Sequence, residues 1–400
     1  MAENQLSTLE QHGLASLQVQ EIRGRELVTP QGTFIDFCNT NYLSFDRHPL
    51  MLERGALFAE RWGSLCGWSR LEADPIFYKE LEDKIARFLG APRVIISHTI
   101  TLSCFSVLSS IVQKGTIFAD RKVHTVVWEA CRLSRDHGAT LLRFEHQDMN
   151  DLERQLKSCN NPGPKLIVVD GVYSLSSALA PVAALQELAR RYDAWLLIDD
   201  AHGFGLLGDQ PSDENPFGVA GRGVVAYSKG DFKRTFYVSS FGKAFCTHTA
   251  FLTIPEEFEG SIPAVHLAHI FSAPVSPHTV GTVDAALDLN EKRGEVDRLH
   301  IRQLVAQTVT DLQAEGYAIE NHASLPIVFI PIGRLEKLVA GAQILSGEGL
   351  LTGLRAFPIV RPDRCGVRVA LTSSHTHEHV GRLVSCLAQP KLKALREVEL

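Results

Sequence analysis

No apolar run in this chain approaches the roughly 18–20 residues that a helix needs to cross a bilayer, and the mean hydropathy is essentially zero. A membrane-spanning helix is therefore excluded, although shallow surface contact is not. An excess of positive charge is also missing. Forty Lys and Arg stand against 46 Asp and Glu, a net charge of -6 with histidine neutral, so nothing electrostatic favours a nucleic acid. Cysteine pairs are absent too. The eight cysteines are scattered, with no CxxC and no metal-ligand spacing, in a chain too long to need covalent staples. They read as reduced thiols of a cytosolic protein. The opening residues MAENQLSTLEQHGLASLQ lack the basic start and apolar stretch of a secretory signal, so no export is expected.

What is present is alternation. The 400 residues suffice for two or three domains. From about residue 90, short apolar β-branched runs alternate with stretches of helical periodicity, the signature of βαβ units and a mainly parallel sheet. Strands are expected at Val94–Ser97, Thr116–Ala119, Thr140–Phe144, Leu166–Val169, Trp195–Ile198, Val224–Tyr227, Tyr237–Ser239 and Ala250–Ile254. Helices are expected at Leu102–Gln113, Thr125–His137, Met149–Lys157 and Val182–Tyr192, with Asn150 as a helix start. The polar loop Gly208–Gly218 reads as an exposed excursion. After Ser276-Pro277 a long helical stretch to Ala314 leads into strands and helices of a small α+β domain. The expected organisation is an N-terminal segment (1–50), a large domain (51–285) and a C-terminal α+β domain (286–400).

In a doubly wound sheet, ligands sit beyond the carboxyl ends of the strands. Three apolar runs end there in polar residues: Asp170-Gly171-Val172-Tyr173-Ser174, Asp199-Asp200-Ala201-His202-Gly203 and, after YVSS, Phe241-Gly242-Lys243. An acid directly after a buried strand costs several kcal/mol unless it meets a positive partner, so Asp199 needs a cationic neighbour. A pyridinium nitrogen would satisfy it, and a lysine at a nearby strand end would hold the same cofactor, pyridoxal 5'-phosphate, as a Schiff base. Each residue taken alone is better explained as a helix cap, a structural histidine or a solvated lysine; the set is not.

The motifs that contain these residues resemble those of a known family, the α-oxoamine synthases among fold-type I pyridoxal-phosphate enzymes. The likeness spans about residues 34–388: NYLSFDRHP (Asn41–Pro49), FADRKVHTVVWEA (Phe118–Ala130), DGVYSLSSALAP (Asp170–Pro181), IDDAHGFGLLG (Ile198–Gly208), SSFGKAF (Ser239–Phe245) and VRVALTSSH (Val367–His375) fall in the family's order. The resemblance implies an α/β fold with a mainly parallel seven-stranded sheet flanked by helices, plus the smaller C-terminal domain. It implies that Lys243 carries the cofactor and moves the α-proton, that Asp199 pairs with the pyridine nitrogen, that His202 contacts the ring hydroxyl and that His124 stacks on the ring. Arg368 would grip the amino-acid carboxylate. Ser240, Thr99 and the amide of His98 would contact the phosphate, and Ser174 would lie near the cofactor. The implied reaction is decarboxylative condensation of an amino acid with an acyl thioester of coenzyme A or a carrier protein, in a cytoplasmic homodimer.

Several positions depart from the family's pattern. Its glycine-rich GSGGSR stretch is Ser64-Leu65-Cys66-Gly67-Trp68-Ser69-Arg70 here, its histidine before a Leu-Glu pair is Tyr78, and the glycine after the lysine motif is Cys246. A Ser-Thr pair reads Ser272-Ala273, and Thr40 replaces an asparagine. These changes remove room rather than chemistry, which points to a retained cofactor and an altered substrate, as in specialised metabolism. Other pyridoxal-phosphate reactions on the same scaffold (aldolase, aminotransferase or racemase) need the same Lys243 and Asp199. A silent subunit would not need the lysine at all.

Overall fold

A computed structural model of the chain describes residues 5–261 and 267–395. It divides into two compact units: Ser44–Tyr173 with Leu179–Glu295, and Met1–Leu43 with Ser174–Ala178 and Val296–Leu400.

The larger unit is built on β4 (Val94–Ser97), β5 (Thr116–Asp120), β6 (Thr140–Phe144), β7 (Lys165–Asp170), β8 (Ala194–Asp199), β9 (Thr235–Ser240) and β10 (Ala250–Thr253), in the order β4-β10-β9-β8-β7-β5-β6. Pairing is parallel from β9 across to β6, and β10 runs antiparallel to both of its neighbours. Runs such as LIVV and WLLI are buried along nearly their whole length. That suits parallel strands covered on both faces. Helices Ile100–Val112 and Thr125–Asp136 pack on each other, and the first also covers β9 and β10. Their shared core includes Val107, Leu108, Val127, Val168 and Phe236. The α/β class and the seven-stranded, mainly parallel sheet are as expected.

Three local expectations are corrected. Val224–Tyr227 is a short helix, not a strand; four apolar residues carry no periodicity that separates the two, and Gly223 at φ 92° turns the chain into it. The helix Met149–Ser158 is capped by Asp148, which accepts the N–H groups of Asn150 and Asp151 at 2.9 and 3.0 Å, so Asn150 is inside the first turn. The 208–218 loop is exposed only toward its tip: Gly208, Phe217 and Gly218 are buried, and Asp209 bridges Val219. Two helices that the sequence reading passed over, Pro49–Trp62 and Ile76–Leu89, end at glycines with positive φ, Gly63 and Gly90.

The second unit holds β1 (Glu21–Arg23), β2 (Glu26–Thr29), β3 (Gly32–Phe37), β11 (Ile327–Gly333), β12 (Leu350–Arg355) and β13 (Cys365–Ala370), in the order β1-β2-β3-β12-β13-β11. The N-terminal strands thus join the sheet of the C-terminal residues through the parallel pair β3–β12. Beyond β13, His375 locks this arrangement. Its Nδ1 accepts the Thr372 N–H at 3.0 Å and its Nε2 donates to the Asp36 carbonyl at 2.9 Å, while the ring stacks on Phe37 with centroids 4.8 Å apart. Both nitrogens are committed in the neutral Nε2–H tautomer.

Burial, with the charges of Arg25 and His379 adding to it, pushes the His375 pKa from 6.5 down to about 3. Between those values the unfolded chain binds a proton that the folded chain refuses, so the contribution of His375 to stability is lost as pH falls. The slope is up to ~1.4 kcal/mol per pH unit. The stability advantage of the wild type over His375→Gln, measured by urea unfolding at pH 7, 6 and 5, should shrink below about pH 6.5. A constant difference would mean that the folded protein protonates this ring freely.

Candidate active site

β8 ends in Asp199, whose side chain lies at the carboxyl end of the strand and is 5% exposed. Among the described residues its carboxylate forms no salt bridge; the Ala201 N–H donates to it at 3.1 Å. Burial raises the pKa of this acid, and the positive charges of Lys243 and His124 pull it part of the way back. Lys243 sits in the loop that closes β9 onto β10. Phe241 N–H donates to Thr249 O at 2.7 Å, and Cys246 N–H donates to Lys243 O at 3.1 Å. Ser240 braces the same loop: its Oγ accepts the Gly242 N–H at 2.9 Å and donates to Thr249 O at 3.1 Å. His202 is buried on the turn after Asp199.

On the neighbouring elements, Thr99 caps the helix Ile100–Val112 by accepting the Leu102 N–H at 3.1 Å. His98 is half-buried, and burial together with His248 lowers its pKa. His124 begins the helix Thr125–Asp136, with Nδ1 accepting the Val126 N–H at 3.4 Å. Asp199, Lys243, His124, His202, His98, Thr99 and Ser240 all belong to the larger unit. Ser174 and Arg368 belong to the other, where Arg368 Nη1 donates to Ser174 O at 3.3 Å. Arg368 lies on β13 between Phe329 of β11 and Gly353 of β12.

Three further buried carboxylates had no role assigned from the sequence, although Asp170 and Asp200 stand in the polar runs noted there. Asp120 ends β5, Asp170 ends β7 opposite Asp199, and Asp200 follows β8. The signal was available, because the rule that singled out Asp199, an acid directly after an apolar strand, applies equally to Asp120 and Asp170. Asp200 is fully buried and accepts the N–H groups of Val224 (2.7 Å) and Gly203 (3.1 Å) and the Tyr237 hydroxyl (2.8 Å). A Cβ at Gly171, Gly203 or Gly223 would collide with Asp200 or with the Tyr237 hydroxyl. Burial raises the pKa of Asp200 to about 7.

The departures from the family's pattern have local explanations. Cys246 adopts φ 61°, the left-handed region where a side chain costs roughly 1–2 kcal/mol and where glycine is free. Its sulfur accepts the Phe45 N–H at 3.2 Å. Tyr78 is fully buried and donates to Val275 O at 2.6 Å, and its ring lies 4.8 Å from the Arg70 guanidinium. Arg70 in turn forms two hydrogen bonds to buried Glu82 and two to Asp74, which pins the end of the altered stretch. Within the chain, Leu65 and Trp68 are more than half exposed and a Cβ at Gly67 would meet open space. The bulky residues therefore do not crowd the larger unit's own backbone.

Tyr237→Phe removes one of three donors to Asp200. The ionised carboxylate depends on that donor more than the protonated acid does, so the destabilisation should be about 1–3 kcal/mol at pH 8 and smaller at pH 6. Thermal or urea unfolding at the two pH values reads it, and an equal loss at both would show that Asp200 does not titrate between them.

Comparison with known proteins agrees over nearly the whole chain. The family model for aminotransferase class I and II matches residues 33–387. An 8-amino-7-oxononanoate synthase from Herminiimonas arsenicoxydans is 32% identical over 391 residues, covering 94% of this chain and 97% of that protein. A solved structure of SPT with PLP superposes with a TM-score of 0.88 at 21% identity, covering 98% of this chain and 96% of that one. A Sphingomonas wittichii serine palmitoyltransferase gives 0.85 at 22% identity, covering 98% and 96%. The chain belongs to the aminotransferase class I and II family and, within it, to the α-oxoamine synthases represented by these relatives.

Proposed function

We propose that this enzyme uses pyridoxal 5'-phosphate to condense an amino acid with an acyl thioester, releasing carbon dioxide and a thiol and leaving an α-amino ketone. The observation that carries the reading is the buried Asp199 carboxylate. It faces the charges of Lys243 and His124 and has a backbone N–H as its hydrogen-bond donor, in a chain 32% identical over 391 residues to an 8-amino-7-oxononanoate synthase.

These residues fit the cofactor. A buried acid with spare acceptor capacity selects a cationic N–H, and the cofactor's pyridine nitrogen is one. When bound, pyridoxal phosphate supplies an aldehyde that joins to amines and a ring that spreads the electron pair left when a bond to the α-carbon breaks. Lys243 Nζ would hold the aldehyde and would take and return the proton at the α-carbon. Asp199, ionised against the positive charge of the ring nitrogen, would keep that nitrogen protonated. His202 donates to the ring oxygen. The imidazole of His124, whose Nδ1 is occupied by the Val126 N–H, covers the ring face. The amide of His98 and the hydroxyl of Thr99 would bind phosphate oxygens, as would the Ser240 hydroxyl on turning from Thr249 O, and Ser174 would lie near the cofactor. Arg368 takes the substrate carboxylate in a bidentate grip. The enzyme acts as a cytoplasmic homodimer. Exposed Leu71 and Phe271 (65% and 80%) support a partner, and eight cysteines outside any disulfide support a reducing compartment.

Lys243→Ala should lower turnover by about 10³-fold or more and abolish borohydride-stable labelling of the wild-type peptide that carries the lysine. The assay supplies pooled amino acids with coenzyme A and carrier-protein thioesters and measures carbon dioxide and free thiol together. Release of neither, from protein that carries the cofactor, would overturn the condensation.

A further inference from the structure

The loop 121–124 joins β5 to the helix Thr125–Asp136, and all four of its backbone N–H groups have acceptors. Arg121 N–H donates to Phe144 O at 3.1 Å and Val123 N–H to Asp120 O at 3.2 Å. The other two go to buried carboxylates. Lys122 N–H meets Asp120 Oδ1 at 2.7 Å, and His124 N–H meets both oxygens of Asp170 at 3.0 and 3.1 Å. Asp120 and Asp170 are 0% and 4% exposed and end two neighbouring strands. Asp120 also accepts His146 Nδ1 at 3.0 and 3.1 Å and Gln147 N–H at 2.9 Å, and the His146 ring meets the edge of Tyr173 at 4.4 Å.

A surface loop satisfies its N–H groups with water or with its own carbonyls. Two buried carboxyl groups are an expensive way to hold four residues, unless the orientation of what they carry matters. The residue they deliver is His124. From these contacts we infer that Asp120 and Asp170 are positioning residues: they act through the backbone of the 121–124 loop to aim the His124 imidazole, and His146 completes the anchor on Asp120. This inference rests on the proposed role of His124 at the cofactor face.

A mutant cycle tests it in the holoenzyme. His124→Asn removes the imidazole but keeps a good helix cap; Asp170→Ala removes the anchor. The amino-acid dissociation constant is read from the absorbance change of the bound cofactor, KM and kcat are read separately, and cofactor affinity of the stripped protein is read by tryptophan fluorescence. Each single change should weaken amino-acid binding by about tenfold or more. The double variant should be no weaker than His124→Asn alone, because residues that act through one another are not additive. Asp170→Asn, which keeps one acceptor oxygen, should recover most of the loss. If Asp170→Ala does not fold, the same cycle is run with Asp170→Asn and the same non-additivity is expected at smaller amplitude. Effects that multiply in the double variant would overturn the inference, as would an Asp170 variant with a lower melting temperature and unchanged KM, kcat and dissociation constant. A wild-type protein that takes up no pyridoxal phosphate in the fluorescence titration would defeat the reading of the site itself, whereas normal uptake with a multiplicative cycle defeats only the positioning role.

Discussion

Carboxyl groups kept out of water at the ends of three adjacent strands are the constraint from which the rest of the larger unit follows. Asp120, Asp170, Asp199 and Asp200 close β5, β7 and β8, and each is 5% exposed or less. An uncompensated buried carboxylate is among the costliest features a fold can carry, so each must be given donors or a cation. Three of them are satisfied from within the protein, by backbone N–H groups, a histidine and a tyrosine. Asp199 differs: among the described residues its hydrogen-bond donor is a single backbone N–H, and the charges that act on it come from Lys243 and His124. In the function proposed above, it is the acid left for the cofactor.

Much of this was legible in the sequence because parallel strands advertise themselves. LIVV and WLLI are buried on both faces, and the polar residues that follow them stand where a doubly wound sheet presents its ligands. Other features were hidden for identifiable reasons. β1, β2 and β3 pair with one another locally, but they join the C-terminal strands only through β12, about 300 residues away in the chain, a contact that no local pattern encodes. Val224–Tyr227 has the composition of a strand, and only the turn at Gly223 and the acceptor on Asp200 make it helical. Asp120 and Asp170 carried the same sequence signal as Asp199. What distinguishes the three is which donors each carboxylate meets, and that appears only in three dimensions.

The substitutions relative to the family separate on physical grounds. At Cys246 the backbone keeps the left-handed conformation that explains a glycine in relatives, and the sulfur finds a donor in Phe45. At Tyr78 a larger ring is absorbed by a hydrogen bond to Val275 and by contact with Arg70. Both are accommodated inside the unit. Leu65 and Trp68 instead point outward, so their effect falls on whatever approaches that face.

The cage around Asp200 restricts how this protein can change over time. Gly171, Gly203 and Gly223 come from three separate segments, yet a methyl group at any of them meets the same carboxylate or the hydroxyl bound to it. Their freedom to vary is therefore conditional on a residue that lies on the same turn as Gly203 but far along the chain from Gly171 and Gly223. A lineage that kept the acid would hold all three bare; one that lost it would free Gly203, whereas Val224 would still crowd Gly171, and the Tyr237 hydroxyl and a φ of 92° would still hold Gly223.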